Sequence, residues 1–213
     1  MTSTFVHRFV PGASQSRPLL LLHGTGGDEN DLIPLGQAIA PGAALLSPRG
    51  KVLEDGMPRF FRRLAEGVFD EDDVRRRAEE LADFVGCARE RYGLAEPIAL
   101  GYSNGANIAA AVLLQRPDTL FGAILLRAML PLNPWPQPDL SGKPVLIISG
   151  AQDPIAPANN AARLAQLLRG AGAAVDLRLL SAGHGLSNED IELAREWLNV
   201  FARGDTGVTA GAA

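Results

Sequence analysis

LGYSNGANIAA (residues 100–110) places one serine, Ser103, between two glycines, Gly101 and Gly105. A short apolar run, Pro97-Ile98-Ala99-Leu100, leads in, and a small-residue apolar stretch from Ala106 to Leu114 leads out. This is G-x-S-x-G between a strand pattern and a helix pattern. In that setting the glycines are steric requirements, because a Cβ at either position would strike the neighbouring strand or helix. A strained turn would hold the Ser103 Oγ clear of the sheet, with the amide end of the next helix aimed at it. The same residues also fit a plain glycine-rich turn with a capping serine, so the rest of the chain has to decide.

Outward from this stretch, short apolar runs alternate with longer helical patterns. The runs are Phe5 to Val10, which alternates like an edge strand, and then Leu19 to Leu22, Ala43 to Leu46, Ile98 to Gly101, Ala123 to Leu126, Val145 to Ser149 and Val175 to Leu180. Continuous apolar runs fit strands covered on both faces. Between them, Glu71 to Tyr92 is amphipathic, with Val74, Leu81, Phe84, Val85 and Ala88 on one side, and Asn104 to Gln115 is nearly all apolar. Ala158 to Leu168 runs to Gly170, a suitable C-cap, and Ser187 to Phe201 opens on Ser187-Asn188-Glu189-Asp190, a capping box with Asp in place of Glu. The alternation predicts an α/β fold, a single domain over 1–203 with a mainly parallel central sheet flanked by helices, and a flexible tail at 204–213.

In such sheets ligands bind beyond the carboxyl ends of the strands. A serine nucleophile needs a base, and there are three histidines. His7 lies in the edge strand. His23 ends the four-leucine run and reads as a structural histidine bonded to nearby backbone. His184, in Ala182-Gly183-His184-Gly185-Leu186, follows the last strand and is the candidate base. Asp153, in Gly150-Ala151-Gln152-Asp153-Pro154, follows another strand and is the candidate acid that fixes the imidazole tautomer. Ser103, Asp153 and His184 run in the chain order nucleophile, acid, base. The turn His23-Gly24-Thr25-Gly26-Gly27-Asp28 lets backbone approach an oxyanion, which assigns the hole to the amides of Thr25 and Asn104. This turn has neither a G-K-[ST] ending nor a G-x-G-x-x-G frame.

Composition sets outer limits. With 46% hydrophobic and 21% charged residues among 213, the chain can bury a large core. A formal net charge of −4 argues against charge-driven binding of nucleic acid or anionic membranes. The single cysteine, Cys87, rules out an intrachain disulfide and reads as a small buried apolar group in a helix. Neither a signal peptide nor a membrane span is evident, so the expected location is cytoplasmic.

With these pieces in place, the chain resembles the phospholipase/carboxylesterase family of α/β-hydrolases. The resemblance rests on LLLLHGTGGDENDL (19–32), LSPRG (46–50), GMPRFFRR (56–63), GYSNGANIA (101–109), GAQDPIAP (150–157) and AGHGLS (182–187). GMPRFFRR and GYSNGANIA are most similar to a bacterial branch linked with hydroquinone or catechol metabolism. The resemblance implies little or no cap domain and esterase activity on short acyl esters, with Ser103, Asp153 and His184 as a triad. Where many relatives end the strand near Ala123 in a small polar stretch, this chain has Leu126-Arg127-Ala128-Met129-Leu130-Pro131, and Arg127 is expected to overlook the site. In the loop from Gly50 to Asp70, Met57, Phe60 and Phe61 are candidates for an acyl or aryl pocket, and one arginine, Arg59 foremost, for a substrate anion. The alternative there is core packing of Phe60 and Phe61 and ion pairing of Arg62 and Arg63. Trp135 fits either a lid aromatic or loop packing.

The expected function is a carboxylesterase cleaving short-acyl or aryl esters through an acyl-enzyme, with no metal or organic cofactor. Thioesters, lysophospholipids and lactones are alternative substrates, since a triad acts on the acyl carbon of all of them. A non-catalytic binding protein on this fold and a metal-dependent hydrolase using His23 and His184 are rivals of other kinds. The expected partner is a small-molecule ester. Nucleic acid and membrane insertion are not expected, and homodimerisation is left open.

Overall fold

The computed structural model describes residues 4–13, 16–133 and 137–201. Trp135 and the tail 204–213 lie outside the described residues. Along the chain the elements are β1 (His7–Val10), β2 (Leu19–Leu22), α1 (Ile33–Ile39), β3 (Leu45–Pro48), β4 (Val52–Glu54), β5 (Met57–Arg59), β6 (Arg63–Ala65) and β7 (Val68–Phe69). They continue with α2 (Glu71–Tyr92), β8 (Ile98–Tyr102), α3 (Asn104–Gln115), β9 (Gly122–Leu126), β10 (Pro144–Gly150), α4 (Ala158–Gly170), β11 (Ala174–Leu180) and α5 (Asn188–Phe201).

Seven strands form one sheet in the order β1-β3-β2-β8-β9-β10-β11. All neighbours are parallel except β1, which pairs antiparallel with β3 at the edge. The four leucines of β2 show why the pattern is continuous. Leu20 and Leu22 enter the core on one face with α2, α3 and α4, while Leu19 and Leu21 enter the other with α1 and α5. A strand next to the central one of a doubly covered sheet has no wet side, so no polar residue interrupts it. Helix α3 is buried along its length from Asn104 to Leu114, as its apolar composition requires.

Three local readings change. Helix α4 runs through Gly170, and the left-handed residue after it is Gly172 (φ 96°), so the reversal comes two residues later than the sequence suggests. Cys87 is exposed, not buried. The inward stripe of α2 passes through Ala78, Leu81, Val85 and Ala88, and position 87 sits about 100° round the helix from 88. The stretch after Gly50 is ordered as two hairpins, β4–β5 and β6–β7. Asp55 (φ 52°) and Gly56 (φ 79°) make the two-residue left-handed turn of the first.

Candidate active site

Ser103 sits between β8 and α3 at φ 52°, ψ −113°, a region that non-glycine residues avoid. The surroundings enforce it. The Ser103 N–H donates to Leu126 O at 2.9 Å on the adjacent strand, and the Ser103 O accepts from Asn107 N–H at 3.0 Å. A Cβ at Gly101 would lie 2.6 Å from Gly105 O, and one at Gly105 would lie 1.9 Å from Leu22 O. Neither contact could be relieved by a side-chain rotation, because both partners are backbone. The glycines are therefore packing requirements where β2, β8 and α3 converge.

His184 and Asp153 reach Ser103 from the ends of β11 and β10. The Ser103 hydroxyl is 3.0 Å from His184 Nε2, and His184 Nδ1 is 2.8 Å from Asp153 Oδ2. A carboxylate only accepts, so Nδ1 carries the proton and donates it to Asp153, leaving Nε2 free to accept from Ser103. Asp153 is itself fixed: its Oδ1 accepts from the N–H groups of Ile155 and Ala156 at 2.8 and 2.9 Å.

Residues that sequence patterning did not connect hold the His184 loop. The Tyr102 hydroxyl donates to His184 O at 3.1 Å, and burial raises its pKa, which keeps it a donor. Arg127 lies beneath the loop. Its guanidinium donates to the carbonyls of Gly183, Gly185 and Ile148 and, in two bonds, to Asp190. Asp190 also accepts from the N–H and hydroxyl of Ser187. The S-x-x-D box that opens α5 thus has a second duty, and that box was the signal available in the sequence. Arg127 has 0% exposure and all its donors are engaged, so the expectation that it overlooks the site and meets substrate there is corrected. At φ 56° its backbone turns the side chain under the loop instead of over the site.

The turn after β2 supplies backbone donors. Among the described residues the N–H groups of Thr25 and Asn104 make no hydrogen bond. The turn is braced by the first hairpin, where Gly26 N–H donates to Pro58 O at 3.0 Å, and by the Asn104 side chain, whose Oδ1 accepts from Phe60 N–H at 2.7 Å. His23 is a buried strut: Nδ1–H donates to Gly24 O at 2.7 Å and Nε2 accepts from Gly50 N–H at 2.9 Å. Burial lowers its pKa, and with both nitrogens on backbone it offers neither a base nor a metal ligand.

A cavity of about 240 Å³ opens over Ser103 and His184, and its wall includes Thr25, Arg59, Phe69, Asn107, Met129 and Ile155. A larger groove of about 780 Å³ runs along Leu130, Leu132 and Arg163, away from Ser103. Of the pocket candidates, Arg59 faces the cavity. Phe60 and Phe61 do not: they are core residues, Phe60 with its ring 4.7 Å from that of His23 and Phe61 against Phe69. This corrects their assignment to an acyl pocket. Two large aromatics at the end of a short hairpin gain more by burial between α2 and the sheet than by facing water. Met57 is part exposed and covers Gly26 from outside the cavity lining.

A family model described as Phospholipase/Carboxylesterase matches residues 9–202. The Bacillus subtilis (strain 168) protein MhqD is 48% identical over 193 residues, which are 90% of this chain and 96% of MhqD. A crystallised carboxylesterase of Bacillus cereus superposes with TM-score 0.89 at 45% identity, covering 92% of this chain and 94% of its own. A carboxylesterase of Mesorhizobium loti gives TM-score 0.87 at 36% identity, with 92% and 94% covered. Among the described residues no helix is long and apolar enough to cross a membrane. A match spanning nearly the whole sequence, together with this sheet order, makes the chain a member of the phospholipase/carboxylesterase family of α/β-hydrolases.

Proposed function

We propose that this carboxylic ester hydrolase works through Ser103 as nucleophile, His184 as general base and acid, and Asp153 as the group that orients His184. The observation that carries the reading is the continuous relay from Ser103 Oγ through the imidazole to Asp153, at 3.0 and 2.8 Å. Ser103 Oγ attacks the ester carbonyl as His184 Nε2 takes its proton. The imidazolium so formed is stabilised by Asp153 and then returns the proton to the departing alkoxide. The N–H groups of Thr25 and Asn104, which have no other partner among the described residues, receive the tetrahedral oxyanion. Water, activated by His184, then cleaves the acyl-enzyme and frees Ser103.

Short acyl or aryl esters suit the site best, because a cavity of about 240 Å³ is below the roughly 300–1,000 Å³ of sites for drug-sized ligands. The test combines a fluorophosphonate probe with an ester series. Wild-type protein should be labelled and Ser103→Ala should not, and turnover should fall steeply from acetyl and butyryl esters to decanoyl ones. Equal labelling of both proteins would remove Ser103 from the mechanism.

A further inference from the structure

Arg59 is 3% exposed, yet the cavity over Ser103 reaches it. Its Nε donates to Phe61 O at 3.3 Å and lies 3.3 Å from Glu54 Oε2. Its terminal nitrogens, Nη1 and Nη2, make no hydrogen bond among the described residues. Glu54 does not neutralise it alone, because the same carboxylate accepts from Arg63 Nε at 2.6 Å. One carboxylate therefore serves two guanidiniums at the inner wall. Glu66 also borders the cavity, but it is exposed to solvent, where its charge is screened.

A second group on the wall has the same polarity. Asn107 is buried on α3, and its Oδ1 accepts from Met129 N–H at 2.7 Å. What Asn107 can still offer the cavity is its amide N–H₂. Phe69, Met129 and Ile155 supply the apolar parts of the wall, and Thr25, Arg63 and Tyr102 also border it. A pocket whose wall presents a planar guanidinium fork and an amide donor to the same cavity as the Ser103 nucleophile is matched to a small ester that also bears an anion.

We infer that Arg59, with Asn107 lining the same cavity, binds a carboxylate carried by the ester substrate, so that the preferred substrates are short esters with a free carboxylate on the acyl or the alcohol side. The inference rests on the proposed ester hydrolysis at Ser103 and adds the substrate class to it. Glu54 tempers the site: it holds Arg59 in the wall and offsets part of its charge.

Two matched pairs of substrates test it. Para-nitrophenyl hemisuccinate against para-nitrophenyl butyrate places the carboxylate on the acyl side, and para-acetoxybenzoate against phenyl acetate places it on the alcohol side. The readout is the ratio of kcat/KM for the anionic over the neutral member. In Arg59→Gln the ratio for at least one pair should fall about tenfold or more, the scale of a lost charge-assisted hydrogen bond in a secluded site. In Glu54→Gln the same ratio should rise, whereas a purely structural role for the ion pair would depress turnover of both members alike. Ratios that stay within about twofold of wild type in both variants and both pairs overturn the inference. If Arg59→Gln does not fold, wild type decides: succinate should compete with phenyl acetate and succinamide should not, and equal behaviour of the two overturns it. Phenyl acetate turnover and fluorophosphonate labelling report the underlying reading separately. If both are intact and selectivity is flat, only the role of Arg59 fails. If both are absent, the hydrolase reading fails and this inference with it.

Discussion

Arg127 and Asp190 form a two-pronged ion pair, Nη1 to Oδ1 at 2.7 Å and Nη2 to Oδ2 at 2.9 Å, with 0% and 1% of their side chains exposed. Two of the remaining donors of the arginine hold the carbonyls on both sides of His184, those of Gly183 and Gly185, and the third holds Ile148 O. The pair thus anchors the loop that carries the imidazole, at a point where β9, β11 and α5 converge.

Removing one partner strands the other without water. Arg127→Met should cost about 3–5 kcal/mol, the usual penalty for breaking a buried pair. At roughly 2–4 °C per kcal/mol for a domain of this size, thermal unfolding should shift down by roughly 6–20 °C. Ester turnover should fall at least about tenfold as the His184 loop loses its carbonyl anchors. The double variant Arg127→Met/Asp190→Leu should regain much of the stability and little of the turnover. A single variant that unfolds within about 1 kcal/mol of wild type would show that the pair is not an anchor.

Two helical glycines should respond in opposite directions to alanine. In Gly105→Ala the new methyl group would sit 1.9 Å from Leu22 O and 2.6 Å from His23 O, so the end of β2 must move. Overpacking of this kind costs about 1–3 kcal/mol or more, and because β2 leads into the Thr25 turn, turnover should be lost with it. Gly86 in α2 has nothing within 4 Å of the corresponding position. Gly86→Ala should stabilise by about 0.5–1 kcal/mol and leave turnover unchanged. Denaturant titrations of the two variants make the comparison, and the same sign for both would contradict the packing described.

His23 gives stability a pH dependence. Burial is the main cause of its lowered pKa, so the folded chain prefers the neutral ring more strongly than the unfolded chain does. Below the unfolded value of about 6.5 the unfolded state binds the extra proton first, so stability should decline as the pH falls from about 6.5 toward the folded pKa. The contribution is fully present above about 6.5. Replacing His23 with Gln should flatten the stability profile between about pH 7 and pH 5. An unchanged slope would locate the dependence elsewhere.

The strands were legible because a doubly covered sheet forces continuous apolar runs. The order of Ser103, Asp153 and His184 was legible because each follows such a run. Sequence periodicity does not report which way a side chain leaves a strand end. Arg127 looked like a residue over the site because it follows β9, but a left-handed backbone turns it under the His184 loop toward a partner 63 positions later. Phe60 and Phe61 were ambiguous for the same reason, since a single residue at the end of β5 separates Arg59 on the cavity from Phe60 in the core. Helix α1 went unread: it has seven residues, a proline at its start and no side-chain cap, so only packing against the sheet and α5 marks it. Asp55-Gly56, by contrast, was a readable turn signal for the first hairpin.

The strand order has a consequence for how the molecule is made. From β8 onward, neighbours in the sheet are also neighbours in the chain: β8, β9, β10, β11. Ser103, Asp153 and His184 are therefore delivered one after another as synthesis proceeds, with the imidazole last. A nascent chain that ends before residue 184 can hold Ser103 and Asp153 but lacks the imidazole that links them. On the mechanism proposed above, its Ser103 stays an ordinary alcohol until β11 has docked, and an unfinished copy leaves esters around it uncut.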